Sequence, residues 1–315
     1  MGAVIVRDRT DQGVDLIAAM LADKRSPETR RSYARDLRDF FQTMAGSEPT
    51  PALVAQFLSL SKQEALQIAL RYKAHLMERY TEWTVNRRLK ALKSLVRYAY
   101  QVGACGWTLE IKGERTKPYR DVTGVTPDQI RKMLEVPDRT TTKGKRDYAI
   151  LRLLWENALR RAEVHKLNVG DFDPEAKTLA ILGKGRGTQK EVISLSERTT
   201  AALLDWLEAR GPAEPDEPLF ISVSKPYWGH RLSTRHIYLL VDTVAKRAGI
   251  PKKMSPHRIR HSSITAALEL TNGNIAAVQK LSRHADARTV MIYEDRRQDK
   301  QREITEALSN LWEEE

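Results

Sequence analysis

A single cysteine, Cys105, is all the thiol in this chain; no disulfide can close within it, and the expected compartment is a reducing cytoplasm. Cys105 stands beside Gly106 and close to Gly103, a setting that suits a bystander rather than a nucleophile. Long apolar runs are missing too: none approaches the ~18 residues of a membrane span, so a soluble protein is expected. The opening MGAVIVRDRT offers only a four-residue apolar stretch before mixed charges. That is no signal-peptide core, and Val6 occupies the place where a myristoylation site expects Ser or Thr. Acidic residues are in deficit, with 41 Asp plus Glu against 53 Lys plus Arg, a net charge of +12 and a pI near 9.7. A balance of that sign makes nucleic acid the first partner to test. Internal repeats and low-complexity tracts are absent.

What is present suits two domains: 315 residues, 41% of them hydrophobic. The stretch WTLEIKGERTKPYRDVTGV, residues 107–125, is polar and basic with no sustained period, and is expected to be a linker. Ahead of it, residues 1–22 read as an N-terminal arm and residues 23–106 as a helical domain. Ser26 and Pro27 open a helix whose Tyr33, Leu37, Phe40 and Phe41 form an apolar stripe. PALVAQFLSL and the run from Gln63 to Glu78 make two more. Thr84 begins a fourth, with Val85, Leu89, Leu92, Val96 and Ala99 on one face. Its other face carries Arg87, Arg88, Lys90, Lys93 and Arg97. A charge run is usually a solvated face, but five cations with no acid among them suggest an element that tracks phosphates. Residues 1–125 hold 21 Lys plus Arg against 14 Asp plus Glu, more than half of the net charge.

Residues 126–315 open on the helix signal Thr126-Pro127. A long apolar helix is expected from about Arg146 to Leu167, with Arg160 and Glu163 three apart on it, a spacing that often means only a surface ion pair. TLAIL and EVISL read as strands joined by a Gly-rich tip at Gly183, Gly185 and Gly187, on which Lys184 rides. Helices from about Glu197 to Ala209, Thr234 to Ala248 and Pro256 to Leu270 follow, then a short one through Tyr293 and a last one from about Asp299 to Trp312.

The densest chemistry lies in SPHRIRHSS, residues 255–263, and LSRHADARTVMIY, residues 281–293. Ser255 and Pro256 read as the N-cap and first position of a helix, since Ser accepts orphan N–H bonds and Pro has no N–H to waste. His257 and Arg260 would share one face of its first turns. A helix N-terminus favours an anion, and Arg adds a permanently charged fork matched to phosphate oxygens, so the ligand suggested is a phosphodiester. A basic helix start is more often only a solvated surface. A metal is not expected: His257 and His261 stand at i, i+4, but Arg258 occupies the place where a zinc helix carries Glu, and cations flank both histidines.

In order, ALRRAE at 158–163, GKG at 183–185, HRIR at 257–260, and His284 with Tyr293 nine residues later resemble the boxes of the tyrosine site-specific recombinase family, the integrases of phages and mobile elements. SPETRRSYARDLRDF and TVNRRLKALKSLVRYAY resemble that family's helical core-binding, SAM-like domain, so the likeness covers nearly the whole chain. It implies a mainly α fold with a small antiparallel sheet, the two domains closing around duplex DNA as a C-shaped clamp. It implies Tyr293 as nucleophile, Arg160 and Arg260 on the non-bridging phosphate oxygens, and His284 donating to the same phosphate. His257 would take the nucleophile's proton, Lys184 would protonate the leaving 5′-oxygen, and Glu163 would orient the arginines. Arg161, Arg258 and His261 fall to structural or DNA-backbone roles.

The implied product is a 3′-phosphotyrosyl link, passed to a second strand through a Holliday junction, with no cofactor and no metal. The implied partner is double-stranded DNA, bound by four protomers in a synaptic complex and by a monomer or weak oligomer when free, with accessory DNA-bending proteins compatible with the scheme. The apolar stripe Ile304, Leu308, Leu311 and Trp312 would connect neighbours. A type IB topoisomerase shares this chemistry, and an inactive DNA-binding accessory protein would share the fold; the helical domain and the full catalytic set favour the recombinase. Two departures stand out: Arg283 where the family usually has Gly, and Ala158 where Gly often precedes the first arginine box.

Overall fold

The computed structural model describes residues 15–116, 124–183, 189–294 and 300–311. The chain divides into two compact units, Met1–Tyr119 and Arg120–Glu315.

The first unit is all helical: α1 (Leu16–Ala22), α2 (Pro27–Ala45), α3 (Pro51–Ser59), α4 (Lys62–Met77) and α5 (Glu82–Gln101). Local chemistry sets most of the ends. Ser26 caps α2 with Pro27 at its first position, and the helix stops at Gly46, whose φ of 72° a side chain would resist. Ser61 and Glu64 form a reciprocal capping box at α4. The apolar stripe expected on α5 is buried throughout, with Leu92, Val96 and Ala99 fully enclosed. Phe40 meets Phe41, Phe57 and Tyr72 edge-on at 5.0–5.2 Å between ring centres, the geometry aromatic quadrupoles favour.

Two sequence expectations shift here. Residues 1–22 are not an arm throughout: Asp15 caps α1, and Leu16, Ile17 and Met20 are buried in the same core as α2 and α5. Seven residues are too few for a helical period to declare itself. The stretch from residue 107 is not a free linker at its start, because Leu109 and Ile111 are buried and Trp107 Nε1 donates to the Leu60 carbonyl at 2.7 Å.

The second unit contains α6 (Pro127–Glu135), α7 (Thr142–Glu156), α8 (Arg161–Lys166), the strands β1 (Phe172–Asp173), β2 (Thr178–Ile181) and β3 (Glu191–Ser194), then α9 (Glu197–Arg210), α10 (Thr234–Arg247), α11 (Pro256–Leu270), α12 (Ile275–Ser282), α13 (Arg288–Glu294) and α14 (Lys300–Asn310). The sheet is antiparallel in the order β1-β2-β3, with Thr178 opposite Ser194 and Ile181 opposite Glu191. Leu179 and Ile181 point from β2 into the core that α7 and α9 share. A smaller cluster of Ile264, Leu268, Val278, Val290 and Tyr293 joins α11, α12 and α13.

The helix expected from Arg146 to Leu167 is broken. Asn157 ends α7, Ala158 turns to φ 46°, and Arg160 caps a new helix. No Gly or Pro announces this turn. Tertiary bonds hold it instead: Asn157 Nδ2 donates to the Ser194 carbonyl at 2.9 Å, and Ala158 and Leu159 are fully buried. A left-handed Ala costs about 1–3 kcal/mol, so the surroundings must over-determine it. The helix α12 was not expected either. On α14, Leu308 and Leu311 are 56% and 69% exposed; Trp312 and the Ile304 side chain lie outside the described residues.

Candidate active site

The start of α11 supplies the first two groups. Ser255 accepts the Arg258 N–H at 3.2 Å and Pro256 fills the first turn; this fixes where His257 and Arg260 emerge. His257 is exposed, whereas Arg260 is only 2% exposed. The Arg260 guanidinium donates to the carbonyls of Ala158 and Ser282, and its Nη2 lies 3.3 Å from His284 Nε2. One side chain thus ties α11 to the turn after α7 and to the segment after α12. Burial pushes its pKa down to about 9, helped by the nearby charges of Arg160 and Arg283. A cation so desolvated is primed to gain from an anion.

Arg160 comes from the broken helix. Its Nη1 donates to Glu163 Oε1 at 2.6 Å and its backbone N–H to Oε2 at 2.8 Å. The pair is no surface ion pair: the Glu163 side chain is 2% exposed, while that of Arg160 keeps 27%. Burial works to raise the Glu163 carboxyl. The Arg160 N–H and the Arg283 charge oppose it, and its pKa ends below the ordinary value.

The two departures from the family pattern meet at this point. Arg283 is the left-handed C-cap of α12, at φ 54°, which explains why Gly would suit the position. Its side chain, 5% exposed, turns back to Glu163 Oε2 at 3.2 Å. It also donates to the carbonyls of Asn157 at 3.0 Å and Ala158 at 3.3 Å. In the sequence, the one signal at Arg283 is a bulky cation at a place where glycine is usual.

His284 is neutral at ordinary pH. Burial first, then Arg260, Arg160, Arg283 and His257, lowers its pKa from 6.5 to about 4. Because an arginine can only donate, its contact with Nε2 assigns the ring proton to Nδ1. That atom is buried and has no hydrogen-bond partner among the described residues.

His257 and His261 face each other across one helical turn with their Nε2 atoms 2.7 Å apart, so one of the two nitrogens carries the proton between them. The His261 ring then packs against Tyr293, 4.9 Å between ring centres. Tyr293, 6% exposed, is held in the cluster of α11, α12 and α13. His261 therefore sits between two expected site residues, and its i, i+4 spacing from His257 was the signal for it. Lys184, with Gly185 and Gly187, lies outside the described residues. Among the described residues, no three His, Cys, Asp or Glu side chains gather as metal ligands.

The five cations of α5 lie in the other unit and are not equivalent. Arg87 is bonded to Asp36, a buried carboxylate, and to Ser32 at 2.9 Å. Arg88 is bonded to Asp39 and lies 4.1 Å from the centre of the Tyr80 ring. Lys90 and Arg97 are exposed and Lys93 is half-buried. Among the described residues, no carboxylate is paired with these three, unlike Arg87 and Arg88.

Residues 124–300 match the phage integrase family, and residues 16–103 match the phage integrase N-terminal SAM-like domain. A tyrosine recombinase of Synechocystis sp. is 51% identical over 299 residues, covering 94% of this chain and 95% of that protein. One of Synechococcus elongatus is 50% identical over 302 residues, covering 95% and 94%. In fold, the XerH site-specific recombinase bound to palindromic difH substrate aligns with a TM-score of 0.64 at 21% identity, over 90% of this chain and 80% of that one. The Tn1549 transposon integrase in complex with transposon right end DNA aligns with 0.62 at 20% identity, over 88% and 93%. Among the described residues, no helix is long and apolar enough to cross a membrane.

Proposed function

This chain belongs to the phage integrase family of tyrosine recombinases, and from that premise we propose how its residues divide the work of cutting and rejoining duplex DNA. It is a site-specific recombinase. The Tyr293 oxygen attacks the scissile phosphorus, the bond to the 5′-oxygen breaks, and a 3′-phosphotyrosyl link forms. His257, braced by His261, accepts the tyrosine proton, and Lys184 gives a proton to the departing 5′-oxygen. Arg160 and Arg260 meet the charge that grows on the non-bridging oxygens. His284, beside Arg260, donates a further hydrogen bond to the same phosphate. A 5′-hydroxyl from a second duplex then attacks the phosphotyrosine, so the energy of the original bond is kept and no nucleotide is consumed. Four protomers, one per exchanged strand, act together through a Holliday junction in the cytoplasm. Residues 126–315 form the catalytic domain and the helical unit the core-binding domain.

The observation that carries this assignment is the convergence of Arg160, Arg260 and His284 from three separate elements, beside the contacting rings of His257, His261 and Tyr293. The test is a nicked suicide duplex that traps the covalent intermediate. Tyr293→Phe should form no adduct and still bind duplex DNA, since the ring keeps its packing; an undiminished adduct makes another tyrosine the nucleophile.

A further inference from the structure

Arg283 is placed at a cost. A non-glycine residue at φ 54° is strained, and its guanidinium is buried, which works to lower its pKa despite the Glu163 charge. Two unfavourable terms persist at one residue only where the surroundings repay them. What Arg283 touches shows the return. Its Nη2 meets Glu163 Oε2 at 3.2 Å, on a carboxylate that also takes the Arg160 N–H and Nη1. Its two Nη atoms hold the carbonyls of Asn157 and Ala158, the turn from which Arg160 emerges.

Without Arg283, Glu163 would neutralise Arg160 one for one, and the positive charge facing a phosphate would be that of Arg260. With it, a single carboxylate is divided between two guanidinium groups.

We propose that Arg283 is a positioning residue of the phosphate clamp: by sharing the Glu163 carboxylate it leaves Arg160 with charge for the substrate phosphate, and by holding the Asn157 and Ala158 carbonyls it fixes the turn that carries Arg160. The role rests on this site being the recombinase centre proposed above. Arg283 touches Glu163 and backbone, so it acts through Arg160 and is not itself a catalytic group.

The experiment measures single-turnover adduct formation by the full chain on the nicked suicide duplex, with duplex affinity and thermal melting measured alongside. Arg283→Ala should slow adduct formation on the order of 10-fold to 100-fold, by analogy with the loss of a partner that orients a ligating group at a metal site. Duplex affinity should hardly change, because the remaining phosphate contacts carry it. Arg283→Gly relieves the backbone without restoring charge and should be as slow. Arg283→Lys should fall between alanine and wild type. Adding Glu163→Gln to Arg283→Ala should recover part of the lost rate, because the unshared carboxylate is gone; a purely structural role predicts further loss. Should Arg283→Ala melt below the assay temperature, Arg283→Gln with and without Glu163→Gln makes the same comparison. An Arg283→Gly variant as fast as wild type, or a double variant no faster than its Arg283 parent, overturns the proposal. A wild-type chain that forms no adduct takes down the reading of the site, and this inference with it.

Discussion

The five cations of α5 should separate into two functional groups when the salt dependence of DNA binding is measured. Asp36 has a side chain only 1% exposed and is bonded to Arg87, itself 36% exposed. Removing Arg87 leaves this buried carboxylate with only the exposed Arg35, whose Nε is 3.8 Å from Oδ1. The pair lies between a surface salt bridge, worth under about 1 kcal/mol, and a buried one, whose breakage costs about 3–5 kcal/mol. Arg87→Ala should therefore destabilise the helical unit by about 2 kcal/mol and lower its melting temperature on the order of 10 °C. Asp36→Asn in the same chain should return much of that loss. Neither change should alter the salt slope of binding by much, because Arg87 is already neutralised. Replacing Lys90, Lys93 and Arg97 together by Ala should do the reverse. Stability stays near wild type, and the slope of log K against log salt falls by about 2.7, at roughly 0.9 per phosphate contact. Between 50 and 200 mM salt the wild type would then lose about 40-fold more affinity than the variant. Fluorescence anisotropy titrations at several salt concentrations read the slope, and circular dichroism reads the melting. Arg87 is a phosphate contact after all if Arg87→Ala lowers the slope and leaves melting unchanged, and Lys90, Lys93 and Arg97 are not if the triple variant keeps the wild-type slope.

Three further outcomes follow from the catalytic unit. An unfolded histidine takes up a proton below 6.5, whereas folded His284 does so only near 4, so between these values stability falls as pH falls. At pH 5 the loss is at most about 2 kcal/mol relative to pH 8, or roughly 4–8 °C in melting, and it should be smaller in His284→Gln; equal pH dependence of the two proteins would refute the assignment. Lys184→Ala should cleave ordinary DNA slower by a factor on the order of 10² to 10⁴, and a bridging 5′-sulfur, which leaves unprotonated, should rescue it but not Arg160→Ala. If sulfur rescues both or neither, Lys184 positions DNA instead. Removing residues 300–315 should spare folding, since Leu308 and Leu311 are exposed, and should weaken two-site complexes in gel shifts more than one-site complexes; unfolding in circular dichroism would make that helix part of the core.

Much of this protein is written locally. Ser26-Pro27, Thr126-Pro127 and Ser255-Pro256 each begin a helix because capping and a missing N–H act within one turn. The stripes of α2 and α5 are legible because a helical period repeats over 19 and 20 residues. The proposed site residues were named from box order and the resemblance that order carries. Short elements escaped, as with α1 and α12, whose seven and eight residues hold too little pattern to stand out.

What tertiary structure alone decided lies at long range or at positive φ. Nothing in ENALRRAE announces the break at Asn157 and Ala158, because its stabilising partners are Ser194, Arg260 and Arg283, 37 to 126 residues away. The basic face of α5 loses Arg87 and Arg88 to carboxylates 51 and 49 residues distant. The unusual Arg283 becomes intelligible only when Glu163, 120 residues earlier, is found beneath it. Sequence specifies what depends on neighbours within a helical turn; the pairing of buried charges depends on which surfaces the folded chain brings together, and desolvation gives those pairs their weight.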